Sequence, residues 1–325
     1  MRRLLHSFIT IYGGLYMKCS YPLIIIRKIL LLLAFCNTIY AADNKAEVAF
    51  QRLPKSQWGV QANIAAIEPI AKLIKEPVLS ATGKSFLTAN KMDFDVLHTK
   101  QSLNSWVVEA FLTFSQHTKS PILDIGAGYG GITLMALKQG NKVIANDIAL
   151  DHLLHIQKSA KANTLNLANL YLHLGQFPQG TSFPPGSLHA VMLHRVVHFM
   201  SPEDIEAGLD KIARWLKPGG KVFIVVMAPQ HPQLADRFLP IYNARWQQGD
   251  KWPGTHLPVK QAFPDQSYHL PEFLHVMDER PLTLALKKAG FIIEKAAFVS
   301  MAHFRKKDTQ SEGREALGII AIKMR

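Results

Sequence analysis

Short apolar runs alternate along this chain with segments in which apolar residues recur every three or four positions. The runs at 142–146 and 221–226 have apolar centres, which is typical of strands buried on both faces of a sheet. Leu150, Leu153 and Leu154 lie between these runs at the spacing of one helix face. Because strands and helices alternate in this way, the pattern predicts an α/β fold with a parallel sheet covered by helices on both sides.

The pattern also marks where single elements begin and end. Ser201 and Pro202 predict the start of a helix, and the sequence Lys217-Pro218-Gly219-Gly220 predicts its end. Another helix precedes the first strand, and its buried face is formed by Leu103, Trp106, Val107, Ala110, Phe111 and Phe114. We therefore expect one α/β domain over 101–325, preceded by a helical N-terminal extension over 42–100.

The first 41 residues differ in composition from the rest of the chain. They contain five basic residues and no acidic one, and the apolar run 29–36 leads to Ala41. A basic start, a short apolar centre and a small final residue are typical of a secretory signal peptide. The run is shorter than the roughly 20 apolar residues that span a bilayer. We predict a signal peptide over 1–41 and an exported protein, periplasmic or secreted; the alternatives are a membrane-anchoring segment or a cytoplasmic protein.

Cysteine use and net charge depend on this segment. Cys19 and Cys36 both lie within it, so a chain that starts near Ala42 has neither a disulfide nor a cysteine-ligated metal. Removing its five basic residues lowers the formal net charge from +13 to +8. The remaining positive charge is spread along the sequence, and a solvated basic surface explains it better than a nucleic-acid partner. Membrane contact is expected only through an uncleaved N-terminal segment.

A glycine-rich loop follows the short apolar strand 122–124. Its sequence is Asp124-Ile125-Gly126-Ala127-Gly128-Tyr129-Gly130-Gly131, which satisfies both the G-x-G-x-x-G pattern of dinucleotide-binding folds and the G-x-G-x-G pattern of methyltransferases. Glycines at this point let the backbone turn sharply and approach a ligand closely. The N–H groups at the start of the next helix face the same place. The loop alone leaves both cofactors open.

The surroundings of the loop separate the two alternatives. The carboxylate of Asp124 suits a cationic amino group and would repel a pyrophosphate, and a helical segment precedes the first strand. The turn 216–221 and the two final apolar runs, 291–293 and 317–322, add to the pattern. Together, residues from about 103 to 324 resemble the class I S-adenosylmethionine (SAM) dependent methyltransferase superfamily, close to its type 11/12 branch. The resemblance implies a Rossmann-like seven-stranded sheet, mostly parallel with the last strand antiparallel, and SAM as the cofactor.

The resemblance also implies roles for single residues. Asp147 would accept hydrogen bonds from the ribose hydroxyls, and Ile148 would pack on the adenine. Gln176 would meet the adenine amino group, where this family more often has Asp, and Phe177 would wall the ring or simply pack in the core. The loop around the methionine moiety would consist of Asp124, Gly126, Ala127, Gly128 and Gly130.

His194 is the candidate for a residue beside the transferred methyl group. It ends the apolar run 190–193, at the carboxyl edge of the predicted sheet where ligands bind. It would act either as a general base or as a neutral histidine that lines the methionine moiety, since a base is needed only if the acceptor loses a proton. His231, His256 and His269 match no ligand spacing, so no metal is expected.

The stretch at about 229–273 predicts where the acceptor binds. It carries seven prolines and six aromatic residues before Phe273, which favours an ordered cap with an apolar pocket. Tyr242 and Trp246 are the candidate contacts. No Asn-Pro-Pro-Tyr-like motif follows the fourth strand and no RNA-binding signature is present, so we expect methylation of an O or N atom of a small-molecule or lipid-like acceptor and no nucleic-acid partner. Alternatively, the cap only packs on the N-terminal helix around Trp106 and Phe111.

Two other functions remain open at this point. An NAD(P)-dependent oxidoreductase would use the same glycine loop. A catalytically silent exported binding protein would keep the fold without turnover.

Overall fold

The computed structural model describes residues 45–79, 86–89, 95–96, 103, 105–255, 257–259, 273–300 and 313–324. The chain divides into two compact units, 1–48 and 49–325, and residues 45–48 of the first unit are helical. The predicted signal peptide lies outside the described residues and stays a prediction. No helix in the described ranges is long and apolar enough to cross a membrane.

A sheet of eight strands lies at the centre of the second unit, counted over the described ranges. In spatial order the strands are β1 (Val60–Gln61), β6 (Leu170–Leu174), β5 (Val143–Asp147), β4 (Ile122–Ile125), β7 (Leu188–His194), β8 (Leu216–Met227), β10 (Ala316–Lys323) and β9 (Phe291–Val299). Neighbours from β6 to β8 pair in parallel, and β10 is antiparallel to both β8 and β9. The expected mostly parallel sheet with an antiparallel last strand is confirmed.

The N-terminal extension adds one strand to the seven expected. Strand β1 pairs antiparallel with β6 and places Val60 opposite Leu172. The extension also forms β2 (Phe86–Leu87) and β3 (Asp95–Val96), which pair with each other in a separate two-stranded sheet. The part of the extension that the structure describes therefore contains strands as well as helix, whereas the sequence indicated helix for part of it and no particular strand.

Helices cover both faces of the sheet. They are α1 (Ile67–Ala71), α2 (Trp106–Ser115), α3 (Gly131–Lys138), α4 (Leu150–Ala162), α5 (Pro202–Trp215), α6 (Pro232–Ala235), α7 (Leu239–Gln247) and α8 (Glu279–Lys288). Ile224 belongs to the apolar cluster that the sheet shares with α5 and α8. Its neighbour Phe223 points to the opposite face, where its ring lies 5.3 Å from that of Phe111 on α2.

The starts of α5 and α2 show how local sequence sets these helices. Ser201 accepts a hydrogen bond from the N–H of Asp204, and Pro202 occupies the first turn of α5, as predicted. Helix α2 begins later than its apolar pattern suggested. Ser105 caps it by accepting from the N–H of Val108, so Leu103 precedes the helix.

The parallel strands bring their carboxyl ends to one edge of the sheet. In register, Ile125 of β4 lies beside Asn146 of β5 and Leu193 of β7, and Asn146 lies beside His173 of β6. The glycine loop, Asp147, Gly175 and His194 therefore come together at this edge, which is called the cofactor edge below.

Candidate cofactor site

The glycine loop adopts backbone conformations that favour glycine. Gly126, Gly128 and Gly130 have φ values of 65°, 53° and 83°, in the left-handed region. A Cβ on Gly126 would overlap Cγ2 of Val196, and a Cβ on Gly130 would meet the side chain of Ile156 2.6 Å away. Gly130 is also the N-cap of α3, so the loop leads directly into the helix. A residue with a Cβ at Gly126 or Gly130 would therefore distort this turn.

Asp124 lies beneath the loop, with only 3% of its surface exposed. Thr133 of α3 donates its hydroxyl to the Oδ2 atom of Asp124 at 2.7 Å. Burial raises the pKa of this carboxyl to about 7, the hydrogen bonds from Thr133 oppose that shift, and the nearby charge of Asp147 adds to it. The structure thus places a carboxyl group that is easily protonated at the position where the sequence predicted a partner for a cationic amino group.

We expect Asp124 to make stability depend on pH. Its pKa is raised in the folded state, so the folded protein binds more protons than the unfolded chain between about pH 4 and 7, and stability falls as pH rises through that window. The replacement Asp124→Asn should remove this fall, which is on the order of 3 kcal/mol between pH 5 and pH 8, because an amide does not titrate. The amide oxygen can still accept the hydroxyl of Thr133, so the fold should be kept. Urea unfolding of both proteins at pH 5 and pH 8 measures their free energies of unfolding. If the wild type and the variant differ in this free energy by the same amount at both pH values, the prediction is wrong.

Asp147 is the hydrogen-bonding centre of the edge. Its Oδ2 atom accepts from the N–H of Gly128 at 2.9 Å, and its Oδ1 atom accepts from the N–H of Ala149 at 2.9 Å. Nδ1 of His152 lies 3.0 Å from the same Oδ1. A carboxylate has about four acceptor positions. Three are filled, so Oδ2 retains one for a ligand hydroxyl.

The neighbours of Asp147 connect the ends of β5 and β6. Ile148 is 51% exposed, so its side chain is accessible to a ligand at this edge. Gly175 donates its N–H to the backbone oxygen of Asp147 at 3.0 Å, and Asn146 donates its side-chain amide to the oxygen of Gly175 at 2.8 Å. Gln176 follows, exposed at the same edge.

Phe177 does not lie at this edge and corrects the expectation of an adenine wall. It is 8% exposed and belongs to the core cluster, where its ring lies 6.3 Å from that of Trp215. The ring occupies the space that Gly208 of α5 leaves free, since a Cβ there would lie 2.5 Å from Cζ of Phe177. Core packing, the alternative that the sequence left open, is its role.

His194 ends β7 at the predicted edge. Burial first, and then the charge of Arg195, lower its pKa to about 3. A histidine with so low a pKa is a weak proton acceptor at neutral pH, so this environment favours a neutral lining residue over a general base. Arg195 has a left-handed φ of 63°, and its N–H donates to the oxygen of Val225 at 2.8 Å, which fixes the chain after His194.

The cap forms its own apolar cluster in the described part of 229–273. Tyr242 lies inside that cluster with 0% exposure, and its hydroxyl accepts from the N–H of Asp278 at 3.1 Å. This is the position of a core residue, and it corrects the expectation that Tyr242 contacts the acceptor. Trp246 is partly buried, and the guanidinium of Arg280 lies 4.9 Å from its ring. The cluster consists of Leu234, Phe238, Tyr242, Leu257, Val259, Leu274 and Val276.

The apolar cluster of the cap contains no residue of helix α2, the helix that carries Trp106 and Phe111. Trp106 donates its ring N–H to the oxygen of Phe298, and Phe111 packs on Phe223. His256 and His269 lie outside the described residues. Within them, no group of three or more His, Cys, Asp or Glu could hold a metal ion.

Two exposed aromatic rings lie beside the end of β7. Phe199 is 41% exposed with its ring 4.2 Å from that of His198, and Phe273 is 39% exposed with its ring 6.3 Å from that of His275. The N–H of His275 donates to the oxygen of His198 at 2.9 Å, which joins the two segments. One of these rings therefore lies on the segment that follows His194, and the other lies on the segment bonded to it.

Sequence reasoning also missed Tyr129 and His152. Tyr129, within the loop, donates its hydroxyl to the oxygen of Leu87 at 2.8 Å. His152 contacts Asp147, as described above, and its Nε2 accepts from the N–H of Ala89 at 2.9 Å. Both side chains fasten the N-terminal segment 86–89 to the cofactor edge. The only local signal was a histidine on the first turns of the helix that follows Asp147.

Comparisons with known proteins agree with this geometry. Residues 122–220 match the family model described as a methyltransferase domain. The bifunctional biotin biosynthesis protein BioCD of Bordetella avium is 31% identical over 127 residues, which cover 38% of this chain and 25% of that protein. The chain thus matches about a quarter of the length of this curated relative.

One solved structure shows the same fold over two thirds of this chain. The structure of a SAM-dependent methyltransferase from Methanosarcina mazei aligns with a TM-score of 0.51 at 19% identity and covers 67% of this chain and 97% of that one. The geranyl diphosphate C-methyltransferase of Streptomyces coelicolor A3(2) aligns with a TM-score of 0.47 at 13% identity, covering 67% and 78%. The alignment with the Methanosarcina mazei structure, together with the sheet described above, confirms the Rossmann-like fold that the sequence predicted.

Proposed function

We propose that this chain is a class I SAM-dependent methyltransferase and that it transfers the methyl group of SAM to an O or N atom of a small-molecule or lipid-like acceptor. The observation that carries the proposal is the juxtaposition of a three-glycine turn with the buried carboxylate of Asp147 at one sheet edge. That combination offers close backbone approach and an acceptor for ribose hydroxyls.

The residues of the edge offer SAM hydrogen-bond acceptors, an apolar side chain and a carboxylate. Asp147 would accept from a ribose hydroxyl at the free position of Oδ2, and Ile148 would cover the adenine. Gln176, exposed beside them, would meet the adenine amino group. Asp124 would face the ammonium group, whose positive charge lowers the pKa of a carboxyl, so SAM binding should release a proton near neutral pH.

The chemistry requires position more than proton transfer. Bound SAM supplies an electrophilic methyl group on its sulfonium, and transfer requires the acceptor atom in line with it. The protein therefore contributes chiefly by holding both partners. His194, with its low pKa, stays neutral and lines the site without adding a second positive charge. This arrangement suits an acceptor that reacts without a strong protein base.

The surface near β7 supports an apolar acceptor. Phe199 lies five residues after His194, Phe273 lies on the segment that is hydrogen-bonded to His198, and the cap begins directly after β8. Exposed aromatic rings in one place are typical of a site that binds apolar groups. Trp246 remains a proposed acceptor contact on the cap, whereas Tyr242 supports the cap from inside.

Binding and transfer experiments test the proposal. Calorimetry on the purified protein should show binding of S-adenosylhomocysteine at micromolar concentrations and no binding of NADH. With methyl-tritiated SAM, tritium should pass into the organic-extractable fraction of a cell extract in the presence of the protein. Binding of NADH without S-adenosylhomocysteine would favour the oxidoreductase, and binding without any tritium transfer would favour a silent binding protein.

A further inference from the structure

His152 has a defined place between the cofactor edge and the N-terminal extension. It lies on α4, five residues after Asp147, and only 2% of its surface is exposed. One ring nitrogen, Nδ1, lies 3.0 Å from Oδ1 of Asp147. The other, Nε2, lies 2.9 Å from the backbone nitrogen of Ala89. Both nitrogens of a buried ring therefore have partners, and the two partners lie 58 positions apart in the sequence.

The partners determine which nitrogen carries the proton. A backbone N–H only donates, so Nε2 accepts from Ala89 and carries no hydrogen. The hydrogen is then on Nδ1, which donates it to the carboxylate of Asp147. The hydrogen bond from Ala89 therefore favours the tautomer of His152 that carries its proton on Nδ1, which is the tautomer that can donate to Asp147.

His152 is the only side chain of the described residues that donates to Asp147 in the structure. The other two donors, Gly128 and Ala149, are backbone groups of the loops on either side. His152 and Ala149 both bind Oδ1, which turns Oδ2 toward the glycine loop and leaves its free acceptor position at the cofactor edge. Without the Nδ1 donor, the carboxylate keeps one backbone donor on each oxygen but loses its only side-chain bond among the described residues, the bond that links it through His152 to Ala89.

The segment 86–89 is fastened at a second point. Tyr129 donates its hydroxyl to the oxygen of Leu87, and its ring lies 5.8 Å from that of Phe86 and 4.7 Å from that of His152. The segment is therefore held by one residue of the glycine loop and by the residue that orients Asp147. Both of its anchors are therefore side chains that also contact the glycine loop or Asp147.

We propose that His152 is a positioning residue for the cofactor: it aims the carboxylate of Asp147 at the ribose and couples that orientation to the seating of segment 86–89. The proposal rests on the proposed function, since it takes SAM as the ligand of this edge. It goes further in assigning a role to a residue that does not touch the cofactor itself, and in making the N-terminal extension part of ribose recognition.

Two replacements separate the contact of His152 with Asp147 from its contact with Ala89. His152→Asn places an amide nitrogen near the position of Nδ1 and can still donate to Asp147, but it has no acceptor that reaches Ala89. His152→Gln reaches Ala89 with its oxygen and loses the donor to Asp147. His155→Gln is the matched control: His155 is also buried on α4, also lies near the ring of Tyr129, and bonds the backbone oxygen of Lys75 at 2.7 Å without contacting Asp147.

The measurement compares S-adenosylhomocysteine with its 2′-deoxy analogue by calorimetry. We expect the wild-type protein to bind the deoxy analogue roughly 10-fold more weakly, the size of one hydrogen bond to a charged group. The deoxy ratio is the dissociation constant of the deoxy analogue divided by that of S-adenosylhomocysteine. In His152→Gln this ratio should fall toward one, while the affinity for S-adenosylhomocysteine drops about 10-fold. His152→Asn should keep the ratio, and His155→Gln should keep it even if its thermal stability falls.

The possible failures are distinguishable. A wild-type protein that binds neither compound overturns the proposed function. A wild-type protein that binds S-adenosylhomocysteine, together with a His152→Gln variant that keeps the full deoxy ratio, overturns the positioning role alone. Hydrogen exchange at the amide of Ala89 gives the second readout: protection should increase when S-adenosylhomocysteine binds to the wild type, and an unchanged exchange rate contradicts the coupling.

Discussion

Replacing Gly126 with Ala should weaken binding of S-adenosylhomocysteine about 100-fold. Two effects act at this position. An L-residue at a φ of 65° costs roughly 1–2 kcal/mol, and the new Cβ would overlap Cγ2 of Val196. Valine is stiff at its first side-chain torsion, so the loop has to move instead. A displacement of roughly 1 Å in residues that position a ligand can lower function by about 100-fold.

Gly140→Ala is the control that separates these effects. Gly140 has a φ of 86°, and no atom lies within 4 Å of a Cβ built on it. It follows α3 and does not contact the cofactor edge, so its replacement shows the cost of the left-handed backbone alone. Calorimetry and thermal unfolding of both variants measure the difference. Equal cofactor affinity in the two variants would mean that Val196 and the loop adjust without loss, and that the close packing of Gly126 has no role in binding.

The strands of the sheet could be predicted because burial on both faces leaves a clear trace in the sequence. Apolar runs such as 143–145 and 222–226 are typical of central strands. The glycine loop marks the passage from strand β4 to helix α3. Strand β1 could not be predicted. It has two residues, and its pairing partner β6 lies more than 100 positions away. Short edge strands are set by tertiary contacts and carry no periodic pattern.

The cofactor edge could be predicted in part, because its central residues follow strands directly. Asp147 and Gly126 end or follow predicted strands and appear at the expected edge. Gln176 and Phe177 also follow a strand, but adjacent residues there point to opposite sides. Gly208, in the interior of α5, was the signal that a ring packs closely on that helix.

The contacts of Tyr129, His152 and Tyr242 arise from the tertiary fold. Tyr129 and Leu87 are separated by 42 positions, His152 and Ala89 by 63, and Tyr242 and Asp278 by 36. No local pattern reports such pairs. An aromatic residue in a cap looks the same in sequence whether it faces a substrate or fills the centre of the cap, and burial of Tyr242 decides between the two.

Replacing Asp147 with Ala should have the largest effect on both stability and binding. Three donors now share its carboxylate: the N–H groups of Gly128 and Ala149 and the ring of His152. The replacement leaves these donors without an acceptor in a site where Asp147 itself is 6% exposed. One unsatisfied buried donor costs about 1–3 kcal/mol. We expect the free energy of unfolding to fall by about 3 kcal/mol, since water can enter the vacated space and satisfy part of the loss.

Binding of S-adenosylhomocysteine should fall about 100-fold in Asp147→Ala, because the ribose loses its acceptor and the Gly128 amide loses the bond that holds the loop. The pKa of Asp124 should also fall from about 7, since the charge of Asp147 contributes to raising it. Carbon-detected NMR titration of the Asp124 carboxyl measures that change independently of ligand. Asp210→Ala, an exposed carboxylate on α5, is the control and should leave unfolding, binding and the Asp124 titration unchanged. If Asp147→Ala binds as tightly as Asp210→Ala does, the ribose is not held at this edge, and SAM binds elsewhere or not at all.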